Sequence, residues 1–165
     1  MKTLLLARHA LSDPGEPGMA DEDRPLNARG RLDAAEMGRR LLARSLQPDA
    51  IVASPAARSR ATAELLAVEL GFDPGAIRFV AALYNASSEA VLDQVLRLDD
   101  SLDCVVLVAH NPGLAELAQR FDPAIAHLVP GAVAGFRFAA RSWGEAAFRQ
   151  PTGFLFLQPR QGQDS

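Results

Sequence analysis

Three apolar runs in this chain each stop abruptly at polar residues and are followed at once by a helix-like pattern, and this alternation restricts the fold more than any other feature. The first is Thr3-Leu4-Leu5-Leu6-Ala7, ending at Arg8-His9. The second is Asp49-Ala50-Ile51-Val52-Ala53, ending at Ser54-Pro55, and the third is Asp103-Cys104-Val105-Val106-Leu107-Val108-Ala109, ending at His110-Asn111-Pro112. Short apolar runs without polar alternation read as strands buried on both faces, the pattern of a parallel sheet whose crossovers are helices. Right-handed crossovers bring the carboxyl ends of such strands to one rim, where open α/β sheets bind their ligands. The expectation is a three-layer α/β/α sandwich with a mainly parallel central sheet, with Arg8, His9, Arg58 and His110 converging on one edge.

The helices are read from their caps. Asn27 is the expected cap of a helix reaching about residue 44, with Ala34, Met37, Gly38, Leu41 and Leu42 turned inward. Ser54 as cap and Pro55 at the first helical position open a second helix. Its expected buried stripe is Ala57, Ala61, Leu65 and Val68, and Gly71 is its left-handed stop. Arg58 falls in its first turn, from which it curls back toward Arg8 and His9 at a helix start that favours anions. Arg60 reads as a solvated arginine. A third strand over residues 77–80 leads through Leu83-Tyr84-Asn85-Ala86 to a helix over 88–97, with Ser88 as its cap and Val91, Val95 and Leu98 inward. Asn111 caps a last helix that Pro112 opens, carrying Leu114, Leu117, Ala118 and Phe121 on its buried face. Strands over 133–138 and 153–157 are placed near the sheet edge, and the polar tail over 158–165 is expected to fray. His127 stands apart from other ligand types and reads as a loop or core histidine.

A length of 165 residues suits a single domain over 1–165. Net charge is −3, so an anion is expected to be held by a few local cations, and a broad basic surface for nucleic acid is excluded. One cysteine, Cys104, leaves no internal disulfide and reads as a small core residue. The opening apolar run is too short for a secretory signal and Arg8 interrupts it, and no stretch is long enough to span a membrane, so the expected location is cytoplasmic. Residues 11–26 form a loop rich in proline, glycine and acids that leaves directly from Arg8-His9. It is expected to serve as a lid or as a docking surface, with Ser12 and Arg24 lining the pocket. Asp21-Glu22-Asp23 reads as a solvated acidic run, because no histidine stands nearby to complete a metal site.

Two arginines suit a phosphoryl group, since the planar guanidinium fork matches its oxygens, and two histidines supply a nucleophile and a second stabiliser of charge. The motifs Arg8-His9-Ala10, Asp23-Arg24-Pro25-Leu26-Asn27-Ala28-Arg29-Gly30, Ser54-Pro55-Ala56-Ala57-Arg58 with Thr62-Ala63, and Val108-Ala109-His110-Asn111-Pro112 resemble the histidine phosphatase superfamily. The chain looks most like its short bacterial phosphohistidine phosphatases of the SixA type. Ala10 stands where the family's Arg-His-Gly triplet has glycine. The resemblance covers roughly residues 1–121 and implies a phosphoglycerate mutase-like fold. It implies His9 as the transiently phosphorylated nucleophile, Arg8 and Arg58 on the phosphoryl oxygens, and His110 donating to a remaining oxygen. Asn111, Ser12 and Arg24 are further candidate substrate contacts, and no metal or cofactor is required. The neighbouring arginines are expected to lower the His9 pKa and keep it neutral.

Many superfamily members carry a glutamate general acid after the third strand, and Ala81-Ala82-Leu83-Tyr84-Asn85 has no carboxylate there. Glu89 is the nearest along the chain, and Asp13, Asp21 or Asp23 from the loop remain alternatives as proton donor. A phosphate ester needs its alkoxide protonated, whereas phosphohistidine expels an imidazole of ring pKa about 6.5, a far better leaving group. The expected activity is therefore removal of phosphate from a phosphohistidine-bearing protein. The alternatives are a phosphatase of a small phosphorylated metabolite, with the loop closing as a lid, and a phosphate-binding module without turnover.

Overall fold

A computed structural model describes residues 1–160. Its centre is β1 (Lys2–Arg8), which lies between two neighbours of opposite sense. β4 (Cys104–Ala109) pairs with it in parallel and β5 (Val133–Phe138) antiparallel. With β2 (Ala50–Ala53), β3 (Arg78–Phe79) and β6 (Gly153–Leu157), the six-stranded order is β3-β2-β4-β1-β5-β6. The β1, β2, β3 and β4 pairings are all parallel, and only β5 runs against its neighbours. This is the layered α/β architecture with a mostly parallel sheet expected from the alternation of runs.

Side chains alternate along β1, so its unbroken apolar run feeds two cores. Leu4 and Leu6 pack on one face with Val91, Val95, Leu114, Leu117 and Trp143, contributed by α3 (Ser88–Leu96), α4 (Gly113–Phe121) and a short helical turn at Trp143–Ala146. Leu5 and Ala7 pack on the other with Met37, Leu41, Leu66 and Leu70, from α1 (Ala28–Ala43) and α2 (Ala57–Leu70). Burial of each leucine on β1 contributes about 1.5–3 kcal/mol. The strand is one residue longer at its start than expected. Lys2 is buried there because its ammonium donates to the Asp100 and Leu102 carbonyls and to the Asp103 carboxylate.

Caps and stripes correct several expectations. Asn27 does cap α1, accepting from the Gly30 amide at 2.7 Å, but Leu42 at the far end of that helix is exposed. In α2 the buried face is Arg58, Ser59, Thr62, Ala63, Leu66, Ala67 and Leu70, one residue on from the expected stripe. Val68 is 64% exposed, while Ala61 and Leu65 pack half-buried beside Ala10, Leu26 and Ala34. The reason is that Arg58 and Ser59 are pulled inward by partners at the sheet edge, which rotates the helix away from its most apolar reading. Helix α2 also begins at Ala57 with Ala56 as its cap residue, not at Pro55; the Ser54 hydroxyl accepts from the Ala56 amide and also faces His110. Ser87 rather than Ser88 caps α3 by accepting from the Ala90 amide. Pro112 precedes α4 as its cap residue, so it does not occupy the first helical turn. The tail expected to fray is instead tied to α1 as far as it is described, the carbonyls of Gln158 and Arg160 accepting from Arg40 and Arg29; residues 161–165 lie outside the described part. No helix among the described residues is long and apolar enough to cross a membrane.

Candidate functional site

The carboxyl ends of β1, β2 and β4 meet on one rim, as three parallel strands in register require. His9 continues β1 by donating its amide to the Ala109 carbonyl at 3.2 Å. The turn that follows is held from below by Gly131, whose amide donates to the carbonyls of His9 at 2.9 Å and Arg8 at 3.2 Å. Gly131 adopts φ +85°, and a Cβ there would meet Pro159 at 2.9 Å, so glycine is required. From α2, Thr62 accepts the Ala10 amide at 3.0 Å and donates to the Arg58 carbonyl at 2.8 Å. One hydroxyl thereby joins the turn after β1 to the helix that carries Arg58.

The four residues named from sequence come together at this rim. His9 and His110 are both buried, with ring centroids 5.4 Å apart. His9 Nδ1 sits 2.8 Å from the Ala10 carbonyl, which can only accept, so Nδ1 carries the hydrogen and Nε2 keeps its lone pair. Burial pushes the His9 pKa down to about 4, and Arg8, Arg58 and Arg24 push the same way, while the Ala10 carbonyl resists. The arginines expected to set this shift are thus the lesser cause. His110 is also lowered to about 4 by burial, then by the facing His9 and Arg58. Both rings are neutral at pH 7.

His110 is oriented by two serines that the sequence reading did not assign to it. Ser54 Oγ lies 2.7 Å and Ser59 Oγ 3.3 Å from its Nε2. Ser54 Oγ also accepts from the Ala56 amide; when its own proton is given to Nε2, the ring carries its hydrogen on Nδ1. That Nδ1 is buried without a partner among the described residues, and so is Nε of Arg8. Unpaired buried donors are costly, and two of them at one rim make a site ready for an anion. Arg8 is anchored by donating from Nη1 to the Leu128 carbonyl at 3.1 Å. Its pKa is lowered by burial and by the charge of Arg58.

The loop of residues 11–26 closes on itself and reaches back to the rim. Its ends are pinned by an antiparallel bridge between Ser12 and Leu26 and by the Asp13 amide donating to the Pro25 carbonyl. Gly30 permits this closure, because a Cβ there would stand 2.1 Å from the Leu11 carbonyl oxygen. Ser12 and Arg24 are joined to each other at 2.7 Å, and Arg24 also holds Asp21 at 2.9 Å. Asp21 then takes both terminal nitrogens of Arg58, through its carbonyl at 2.8 Å and its carboxylate at 3.0 Å. The Tyr84 hydroxyl donates to the same carboxylate at 2.5 Å. These donors, the Tyr84 phenol foremost, hold the Asp21 pKa well below the usual carboxylate range, and the paired carboxylate raises that of Tyr84.

Asn111 is spent on structure: its amide donates to the Leu128 carbonyl and its oxygen accepts from the Ala115 amide. The carboxylates of Glu89, Asp13 and Asp23 make no hydrogen bond to the cluster, and His127 is exposed. Arg60 is exposed as expected and lies over the Phe79 ring at 3.8 Å. Among the described residues no group of three histidine, cysteine, aspartate or glutamate side chains is placed to hold a metal ion. The arrangement offers two guanidinium groups, a neutral imidazole with a free lone pair and a second imidazole N–H, a set suited to gripping a tetrahedral oxyanion and attacking its centre.

The family model for the histidine phosphatase superfamily, branch 1, matches residues 4–83. An uncharacterized protein of Mycobacterium tuberculosis is 35% identical over 111 residues, which span 67% of this chain and 66% of that protein's length. Among solved structures, the candidate phosphohistidine phosphatase SixA of Agrobacterium tumefaciens superposes with a TM-score of 0.78 at 25% identity, over 93% of this chain and 97% of the other. The corresponding candidate from Nakamurella multipartitia gives 0.80 at 25% identity, over 96% of each.

Proposed function

We propose that this chain, whose residues 4–83 match the histidine phosphatase superfamily, is a phosphatase that removes phosphate from phosphohistidine through a covalent intermediate on His9. The observation that carries this reading is the His9 ring: buried, neutral, anchored through Nδ1 to the Ala10 carbonyl, and flanked by Arg8, Arg58 and His110. Arg8 and Arg58 grip the phosphoryl oxygens, and the unpaired Nδ1–H of His110 donates to another. His9 Nε2 attacks phosphorus, the bond to the leaving group breaks, and the phosphoryl group is carried on His9. The Ala10 carbonyl then faces the Nδ1–H of a ring that has become cationic, which favours that state. Water attacks phosphorus in the second step, its proton goes to a phosphoryl oxygen, and His9 leaves as neutral imidazole.

Phosphohistidine is preferred over an ester because the one carboxylate bonded to this cluster among the described residues, Asp21, is held ionised and has no proton to give an alkoxide. The test is to mix the purified protein with a phosphohistidine-bearing carrier protein and, separately, with a panel of small phosphate esters, quench each reaction, and assay acid-labile phosphate on His9. Labelling and turnover with the carrier are expected, and both are expected to vanish in His9→Ala with an unchanged melting temperature. Turnover of one ester with the carrier untouched would replace this reading with that of a metabolite phosphatase.

A further inference from the structure

Among the described residues Asp21 is the only carboxylate that bonds a member of the strand-edge cluster. It reaches there from a loop whose base is pinned and whose tip is tied down by Arg24. Tyr84, which occupies the segment where relatives place an acid, does not replace that acid but donates to Asp21. Two residues from distant parts of the chain therefore install a fixed negative charge over Arg58. An anion beside a phosphate-binding arginine opposes an incoming phosphoryl group, so its presence there calls for a role in which negative charge helps.

We propose that Asp21 selects the leaving group, accepting the ring N–H of a phosphorylated imidazolium and thereby favouring P–N over P–O substrates. This rests on the phosphohistidine reading above. A phosphorylated histidine whose free ring nitrogen is protonated carries its positive charge on the side remote from phosphorus. A carboxylate facing that nitrogen holds the proton in place and favours the charged form of the bound ring. When His9 Nε2 attacks, the P–N bond breaks and its electron pair returns to the substrate ring. That ring departs as neutral imidazole, still bearing its N–H. The positive charge passes to His9, where the Ala10 carbonyl awaits the Nδ1–H. No proton moves during the step, so no general acid is needed. An alcohol leaving group meets the opposite situation: it gains negative charge beside a carboxylate to which Tyr84 and Arg24 still donate once Arg58 has turned to phosphate.

Charge at the rim fits this division of labour. The groups facing Asp21 are Tyr84 from the segment after β3, Arg58 from α2 and Arg24 from its own loop, with His110 farther in at the end of β4. Arg58 is shared: its terminal nitrogens, now on Asp21, turn to phosphoryl oxygens when substrate enters, and Asp21 is released toward the leaving ring.

The experiment compares wild type with Asp21→Asn and Asp21→Ser on two small substrates, free phosphohistidine and p-nitrophenyl phosphate. The expected result is a fall of about tenfold or more in kcat/KM for phosphohistidine, against a rise for the ester as repulsion and competition for Arg58 disappear. Inhibition by inorganic phosphate is expected to tighten by about threefold. The alkaline limb of kcat for phosphohistidine should also move to lower pH, since the bound ring loses the carboxylate that kept it protonated. Parallel losses on both substrates, with wild type active on phosphohistidine, would overturn the role of Asp21 alone. Wild type inactive on phosphohistidine but active on the ester would overturn the proposed function, and this role with it.

Discussion

Acidification from pH 7 to 4.5 perturbs the site through two histidines buried within 5.4 Å of each other. Each ring has its pKa lowered from 6.5 to about 4 in the folded chain, chiefly by burial. A base with a depressed folded pKa binds fewer protons folded than unfolded throughout the interval between the two values. Stability is therefore fully present above pH 6.5 and is lost as pH falls toward 4. At pH 4.5 about two of these units are expressed, and one unit corresponds to about 1.4 kcal/mol, so each ring costs about 2 kcal/mol after allowing for solvent at the pocket mouth. The pair together costs about 4 kcal/mol, a large part of the 5–15 kcal/mol typical of a domain. Asp33, whose buried carboxyl is raised, works in the opposite direction over the lower part of the window. Asp21 titrates below it. The assay is urea unfolding in phosphate-free buffer at both pH values, for wild type and for a His9→Asn/His110→Asn double variant. Wild type should lose about 4 kcal/mol more than the variant, and added inorganic phosphate should reduce the loss, because a bound anion favours the charged rings. An identical pH dependence in the two proteins would refute the assignment of both rings as desolvated and neutral.

Three further substitutions test the local structure by the same unfolding assay. Leu66→Ala is expected to cost about 2–4 kcal/mol, while Val68→Ala, 64% exposed, should change stability by no more than about 0.5 kcal/mol; the reverse order would restore the stripe expected from sequence. Gly30→Ala places a methyl 2.1 Å from the Leu11 carbonyl oxygen and should destabilise by about 2–3 kcal/mol. Because the same contact closes the loop that carries Asp21, KM for phosphohistidine should rise in parallel.

The site was legible wherever strand logic applied. A buried strand that ends in charge must deliver that charge to the sheet rim, and Arg8, His9 and His110 follow directly from it. Arg58 followed from its place one turn into a helix. What escaped the sequence reading were the groups that hold these residues. The Ser54 hydroxyl accepts an amide at the start of α2 as its chemistry suggests, but nothing local signals that it also meets a buried imidazole 56 residues away. Tyr84 is 63 residues from Asp21, and nothing in either segment signals the pairing. The stripe of α2 was misread for a related reason: periodicity assumes that arginine and serine face water, and here Arg58 and Ser59 face the site.

The sequence by itself determined the order of strands and helices, the two-sided burial of the central strand, and the edge at which chemistry gathers. Each of these depends on residue spacing along one segment and on the handedness of crossovers, which are local properties of the chain. Only the tertiary structure decided which nitrogen of His9 is free, which hydroxyls orient His110, and that the acidic loop lays Asp21 across Arg58. Those outcomes depend on burial and on hydrogen bonds between residues far apart in sequence, where the cost of an unpaired buried donor outweighs any local preference.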